Sequence, residues 1–126
     1  PENYLVITAD TVVVVGNEIL GKPKDKDDAV RMLKALSGNV HEVVTGVTIH
    51  TKEMSRTFSV TSKVSFETLD NEEIEYYIDK YRPYDKAGAY GVQEWIGFIG
   101  VNNVEGSYFN VMGLPTHRLY KELKCF

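Results

Sequence analysis

Cys125 is the only cysteine among the 126 residues, which excludes an internal disulfide framework, and no Cys/His grouping has the spacing of a zinc site. Such sparing use of thiols suits a reducing compartment, so a cytoplasmic location is expected. Basic residues are also in short supply. Fourteen Lys and Arg against eighteen Asp and Glu leave a net charge of −4, which argues against a broad nucleic-acid surface. A small anion needs only two or three local cations, so an anionic ligand stays open. The longest apolar stretch lies around Thr11 to Val15, far short of the roughly 20 residues a membrane helix requires. No charged segment precedes a cleavage-type site. The expectation is a soluble chain with neither membrane nor nucleic-acid partners. Standard nucleotide loops are missing: there is no Walker sequence and no G-x-G-x-x-G after a strand. A phosphate group would therefore have to be held by separate lysines. No serine sits on a G-x-S-x-G elbow, so a nucleophilic triad has no support.

The chain has 43% hydrophobic and 25% charged residues, ordinary values for one compact domain over 1–126. Tyr4 to Val15 is rich in Val, Ile and Thr, which suits a strand buried on both faces. A turn at Gly16-Asn17 follows, and Pro23 ends any regular ladder. Asp25 is placed to cap a helix carrying Asp27 and Asp28 in its first turn. Ala29, Met32, Leu33 and Leu36 then recur at helical spacing, and Gly38 supplies a stop. Val43, Val47 and Ile49 share one face of a strand. Phe58, Val60, Ser62, Val64 and Phe66 alternate with polar residues, so an antiparallel pair joined near Lys52 to Arg56 is expected.

Asp70 and Glu73, flanked by Leu69 and Ile74, have the pattern of a capping box with a hydrophobic staple. Ile74, Tyr77, Ile78 and Tyr81 form the apolar stripe of that second helix. Arg82 to Gly91 reads as a loop, Gly97 to Val104 as a strand, and Pro115 as the opening of a last helix. Most of the eight tyrosines are expected in the core. The alternation of elements favours a layered α/β (α+β) domain with a mixed sheet.

Few residues carry evident chemistry. Asp10 lies in an apolar strand, where an ionisable group must be paired, protonated or placed beside a ligand; capping a turn is the alternative. Lys22 sits between Gly21 and Pro23, aimed at an anion or simply exposed. In Asp85 to Gln93, two glycines permit close backbone approach, while Asp85, Lys86 and Gln93 offer an acceptor, a cation and a two-way amide; a plain surface loop is the competing reading. His41, His50 and His117 are widely spaced and suit ordinary surface or satisfied positions.

Taken in order, Ala9-Asp10-Thr11, Gly21-Lys22-Pro23, Leu36-Ser37-Gly38, Thr45-Gly46-Val47, Asp85 through Gln93, Glu105 through Val111 and Gly113-Leu114-Pro115 resemble the Maf family across nearly the whole chain. The resemblance implies a mixed, twisted Maf/ITPase-like sheet covered by helices. It further implies hydrolysis of a nucleoside triphosphate, dTTP or UTP or a modified pyrimidine nucleotide, to the monophosphate and pyrophosphate. A divalent cation, Mg²⁺ or Mn²⁺, a homodimer and a link to septum formation belong to the same expectation. Residue by residue, Asp10 matches the family's proton acceptor and metal-side carboxylate, Lys22 a phosphate-binding lysine, and Asp85 and Lys86 the second substrate-contacting loop. Thr11 and Gln93 match positions that set pyrimidine-type members apart from those acting on methylated GTP. The family's N-terminal Ser/Arg-Arg phosphate loop has no counterpart, and the chain begins at Pro1 directly before a strand. It is thus expected to be the C-terminal part of a Maf-like domain. A non-catalytic nucleotide-binding or cell-division regulatory module is the alternative.

Overall fold

The computed structural model describes residues 4–125. Five strands form one sheet in the order β2-β1-β3-β4-β5: β1 Leu5–Val15, β2 Glu18–Leu20, β3 Val40–Thr51, β4 Ser55–Phe66 and β5 Val101–Glu105. The expected α/β class is present, with helices packed on a sheet. The mixed sheet is not: every pairing among the described residues is antiparallel. The short connections at Gly16-Asn17 and 52–54 permit only hairpins there, because a parallel neighbour requires a crossover of about a dozen residues or more.

The two earlier helices follow their local signals. In α1, Lys26–Leu36, the Asp25 carboxylate accepts from Asp28 N at 2.8 Å, satisfying one orphan donor of the first turn. Ala29, Met32, Leu33 and Leu36 are buried; each large apolar side chain so placed contributes roughly 1.5–3 kcal/mol. In α2, Asn71–Tyr81, the capping box closes through Glu73 N to Asp70 Oδ1 at 2.8 Å and Asp70 N to Glu73 Oε1 at 2.9 Å. Ile74, Tyr77 and Ile78 face the core.

Two cores lie on the same sheet face. Val13, Val43, Val64 and Phe66 pack with α1, α2 and the residues around Ile96. Farther along, Val47, Ile49 and Phe58 pack against Leu119 of α5, Thr116–Lys124. The register aligns Val43 with Ser62 and Val47 with Phe58, so alternate residues of both strands point to that face. Thr57, Ser59, Thr61 and Lys63 occupy the other face and are exposed.

Four details differ from the sequence reading. Gly97 to Val104 is not a single strand: α3, Trp95–Gly100, precedes β5. Ile96 and Gly100, four residues apart, are both buried, and a Cβ on Gly97 would stand 1.8 Å from Val92 O. Close packing of this turn thus overrides the strand preference of Trp95, Ile96, Phe98 and Ile99. A short helix unforeseen in the sequence, α4, spans Tyr108–Met112, with Ser107 as its cap. Instead of being buried on both faces, β1 exposes Leu5, Val6 and Ile7 by 38–50%, because β2 pairs only with Val13 to Val15 and leaves one edge of the strand uncovered. Finally, Tyr4, Tyr76, Tyr108 and Tyr120 are exposed, so only part of the tyrosine set belongs to the core. No helix among the described residues is long and apolar enough to cross a membrane.

Candidate functional site

A cavity of about 250 Å³ opens beside β1, and Asp10, Thr11, Lys22, Asp85, Lys86 and Gln93 all border it. These six residues come from three separated segments. Ala9, Asp10 and Thr11 are consecutive in an extended strand, yet all three line the cavity. Successive side chains of a strand point to opposite faces, so the cavity must wrap around the strand's edge. That edge is open because β2 stops at Leu20. Asp10 itself is exposed and lies across from Gly46 on β3, a neighbour with no side chain to cover it.

The loop carrying Asp85 and Lys86 is held against β1 by backbone features. Gly88 adopts φ 71 and Ala89 φ 64, consecutive left-handed residues that reverse the chain. A Cβ on Gly88 would lie 2.9 Å from Val13 Cγ2, so glycine meets both the torsional and the steric demand. Gly88 N donates to Gly21 O at 3.0 Å, tying this loop to the turn that carries Lys22.

Charge is concentrated at the mouth. Lys86 Nζ lies 3.2 Å from Asp85 Oδ1 and 3.9 Å from Glu94 Oε1. The Asp85 carboxyl is held below its ordinary range, first by the hydrogen bond and charge of Lys86, with the charge of Lys22 adding in the same direction. Asp85 is largely exposed, so this ion pair is weak and available for exchange with another anion. Behind Lys86, the buried Tyr77 hydroxyl donates to Glu94 Oε1 at 2.7 Å and accepts from Gly91 N at 3.0 Å. Burial, together with the hydrogen bond to the Glu94 carboxylate, pushes that phenol well above its usual range.

The floor and far wall were not assigned site roles from sequence. Tyr90 lines the cavity, and its hydroxyl is 2.6 Å from Nε2 of the buried His41. Burial lowers the His41 pKa to about 4, so the ring is neutral at pH 7. The far wall is Val111, Met112 and Gly113, held by Asn110 just before them. Asn110 is fully buried, and its Nδ2 lies 3.1 Å from each of Val43 O, Val60 O and Ser62 Oγ. The Ser107-x-x-Asn110 cap followed by Gly113 is the signal that could have revealed this wall. Thr45, also fully buried, lies behind Thr11 with its hydroxyl at 2.9 Å.

Chemically, the arrangement offers two carboxylates, two ammonium groups, an amide and a hydroxyl around an open cleft, a set suited to a polyanion with a polar head. Among the described residues no three His, Cys, Asp or Glu side chains converge as a metal cluster.

Comparison with known proteins points the same way. The family model described as Maf-like protein matches residues 1–126. A Porphyromonas gingivalis protein named dTTP/UTP pyrophosphatase is 59% identical over 125 residues, covering 99% of this chain and 63% of the relative. A Parabacteroides distasonis protein of the same name is 56% identical, covering 99% of this chain and 65% of the relative. One from Christiangramia forsetii is 50% identical over 123 residues, covering 98% and 63%. The chain thus spans a little under two-thirds of the length of these relatives.

Proposed function

The chain belongs to the Maf-like protein family, and on that premise we propose that it acts as a nucleoside triphosphate pyrophosphatase, converting dTTP or UTP to the monophosphate and pyrophosphate. The observation that carries the reading is the meeting of Asp10, Lys22 and Lys86, from three distant segments, around one cavity. Relatives that are 50–59% identical bear the name dTTP/UTP pyrophosphatase.

In this reading Asp10 accepts the proton of a water that attacks the α phosphorus. The bond from that phosphorus to the bridging oxygen breaks, and pyrophosphate leaves. Asp10 is exposed at the strand edge, where its carboxylate oxygens are within reach of solvent water. Lys22 and Lys86 neutralise the phosphates, Lys86 exchanging its weak partner Asp85 for the more highly charged ligand. Thr11 and Gln93 contact the base. The donor set also fits Mg²⁺ or Mn²⁺, because such ions take one or two carboxylates and complete their shell with water and phosphate. Asp10 and Asp85 would hold the ion, whose chemistry is charge neutralisation and a lower pKa for the attacking water.

The test is pyrophosphate release from UTP and dTTP in Mg²⁺, beside calorimetric binding of the same nucleotides. Asp10→Asn lowers turnover by about 100- to 10,000-fold if it removes a general base. Turnover within about threefold of the parent protein removes Asp10 from that role. Nucleotide binding with no release by the parent protein favours a binding module instead.

A further inference from the structure

Lys86 faces two carboxylates that are held very differently. Its ammonium donates to Asp85 Oδ1 at 3.2 Å and lies 3.9 Å from Glu94 Oε1, close enough for charge to act but too far for a hydrogen bond. The Asp85 side chain is 78% exposed and the Glu94 side chain only 22%. Glu94 is also tethered. A backbone N–H can only donate, so Gly91 N–H occupies the Tyr77 hydroxyl oxygen at 3.0 Å, and the single Tyr77 proton goes to Glu94 Oε1 at 2.7 Å. Tyr77 is fully buried on α2. A helix outside the cavity therefore fixes this carboxylate through a short hydrogen-bonded chain.

Nothing else nearby claims the Glu94 side chain. Glu94 stands at the N-cap of α3 yet makes no cap hydrogen bond there. Glycine at position 91 lets the carboxylate and the lysine meet: a Cβ there would lie 2.6 Å from Glu94 Oε1 and 2.9 Å from Lys86 Cε. Lys86 and Gly91 border the cavity, whereas Glu94 and Tyr77 do not. The ammonium is thus presented to the cavity with a fixed negative charge behind it. An ammonium carries three donors; Asp85 takes one, and the rest stay available to a ligand.

Resting on the reading that Lys86 exchanges Asp85 for substrate phosphates, we infer that Glu94, oriented by the Tyr77 hydroxyl, is a positioning residue that keeps the Lys86 ammonium at the cavity mouth once Asp85 has let go. Glu94 itself touches no phosphate. Without its charge, the flexible lysine stem follows Asp85 toward solvent, and the ligand must bear the entropy of ordering it. Holding the cation in advance removes that cost from binding. A bystander carboxylate would instead only repel an anion, and the two roles have opposite signs. Neutralising a bystander strengthens phosphate binding by up to about fivefold. Neutralising a positioning residue weakens it. Repulsion is the smaller effect here because the Lys86 charge, 3.9 Å from Glu94, offsets much of it.

Calorimetry of inorganic pyrophosphate binding in Mg²⁺ tests this on the intact chain, beside pyrophosphate release from UTP. Glu94→Gln keeps an acceptor for the Tyr77 proton and loses the charge, so pyrophosphate binding should weaken by about 5- to 50-fold. In a Lys86→Gln background the same substitution should change affinity by less than about twofold, because its effect runs through that ammonium. Tyr77→Phe, which releases Glu94, should weaken binding by at least about twofold, and unchanged affinity there removes Tyr77 from the chain. Tighter or unchanged binding in Glu94→Gln overturns the inference. So does an equal loss with and without Lys86, which marks a structural role only. Release from UTP by the parent protein leaves the pyrophosphatase reading intact in both cases. A parent protein that binds pyrophosphate but releases none from UTP fails that reading alone, and the affinities still decide the inference. One that binds no pyrophosphate overturns the inference, and one that also leaves UTP intact overturns both.

Discussion

Replacing Gly88 by alanine tests whether the loop of Asp85 and Lys86 is clamped to β1 or merely rests beside it. Two costs add at this position. The backbone sits at φ +71, a left-handed conformation that costs an ordinary residue about 1–2 kcal/mol. The new methyl would also meet three atoms of Val13 at 2.9, 3.2 and 3.3 Å, and overpacking of a tight site typically costs about 1–3 kcal/mol. Gly16 supplies the control. It has φ +58 with nothing within 4 Å of an added Cβ, so Gly16→Ala bears the torsional cost alone. For a chain of 126 residues, each kcal/mol moves the melting temperature by roughly 3–5 °C. Gly88→Ala should therefore melt about 14 °C below the parent and Gly16→Ala about 6 °C below. Differential scanning calorimetry reads both. If Gly88→Ala loses no more than Gly16→Ala, the contact with Val13 contributes nothing and the loop is not held as described.

His41 gives a pH dependence of definite sign. Its folded pKa is about 4 against an ordinary 6.5, so below pH 6.5 the unfolded chain takes up a proton that the buried ring refuses. Its stability contribution is whole above pH 6.5 and is lost as the pH falls toward 4, by about 3 kcal/mol in total. A melting-temperature profile from pH 7.5 to 4.5 should slope downward for the parent and flatten for His41→Gln in that window. Carboxyls held low, such as Glu122 beside Arg118 and Arg56, act only at more acidic pH. Asn110→Ala removes the donor shared by Val43 O, Val60 O and Ser62 Oγ and should cost about 2–4 kcal/mol by urea unfolding. Asn110→Asp, which turns that donor into another acceptor, should cost more; equal midpoints for the two variants would show that the donor role is not what anchors α4.

Local signals carried much of the fold. The caps at Asp25 and Asp70 were readable because each residue and its partner lie within one helical turn. The inward row Phe58, Val64 and Phe66 was readable because a strand's period of two is itself a sequence pattern. What failed was decided at a distance. The Gly97 turn is helical because Val92 O comes close enough to exclude any side chain, a contact without a periodic signature. The exposure of Leu5, Val6 and Ile7 depends on where β2 ends, which their own composition does not record. Site residues followed the same division. Thr11, Lys22 and Lys86 stood out by type and motif; Thr45 and Asn110 lay in matching motifs but without an assigned role, and their roles, like that of His41, come from burial and from partners 34 to 67 residues away.

The place of the cavity follows from the end of β2. Its ladder to β1 runs only from Val15–Glu18 to Val13–Leu20, and three residues beyond Leu20 comes Pro23, which has no N–H to extend it. From Val12 back to Leu5, β1 therefore has β3 on one edge and, among the described residues, no strand on the other. The turn at Gly21 is then free to accept from Gly88 N, and Gly88 packs on Val13, the last residue before the ladder stops. One consequence is that Lys22 and Lys86 arrive together at the edge where Asp10 and Thr11 lie. Had β2 continued alongside Asp10, the strand would have been flanked on both edges and the two ammonium groups kept from it. The terminated ladder is what brings Lys22 and Lys86 to the same edge as Asp10.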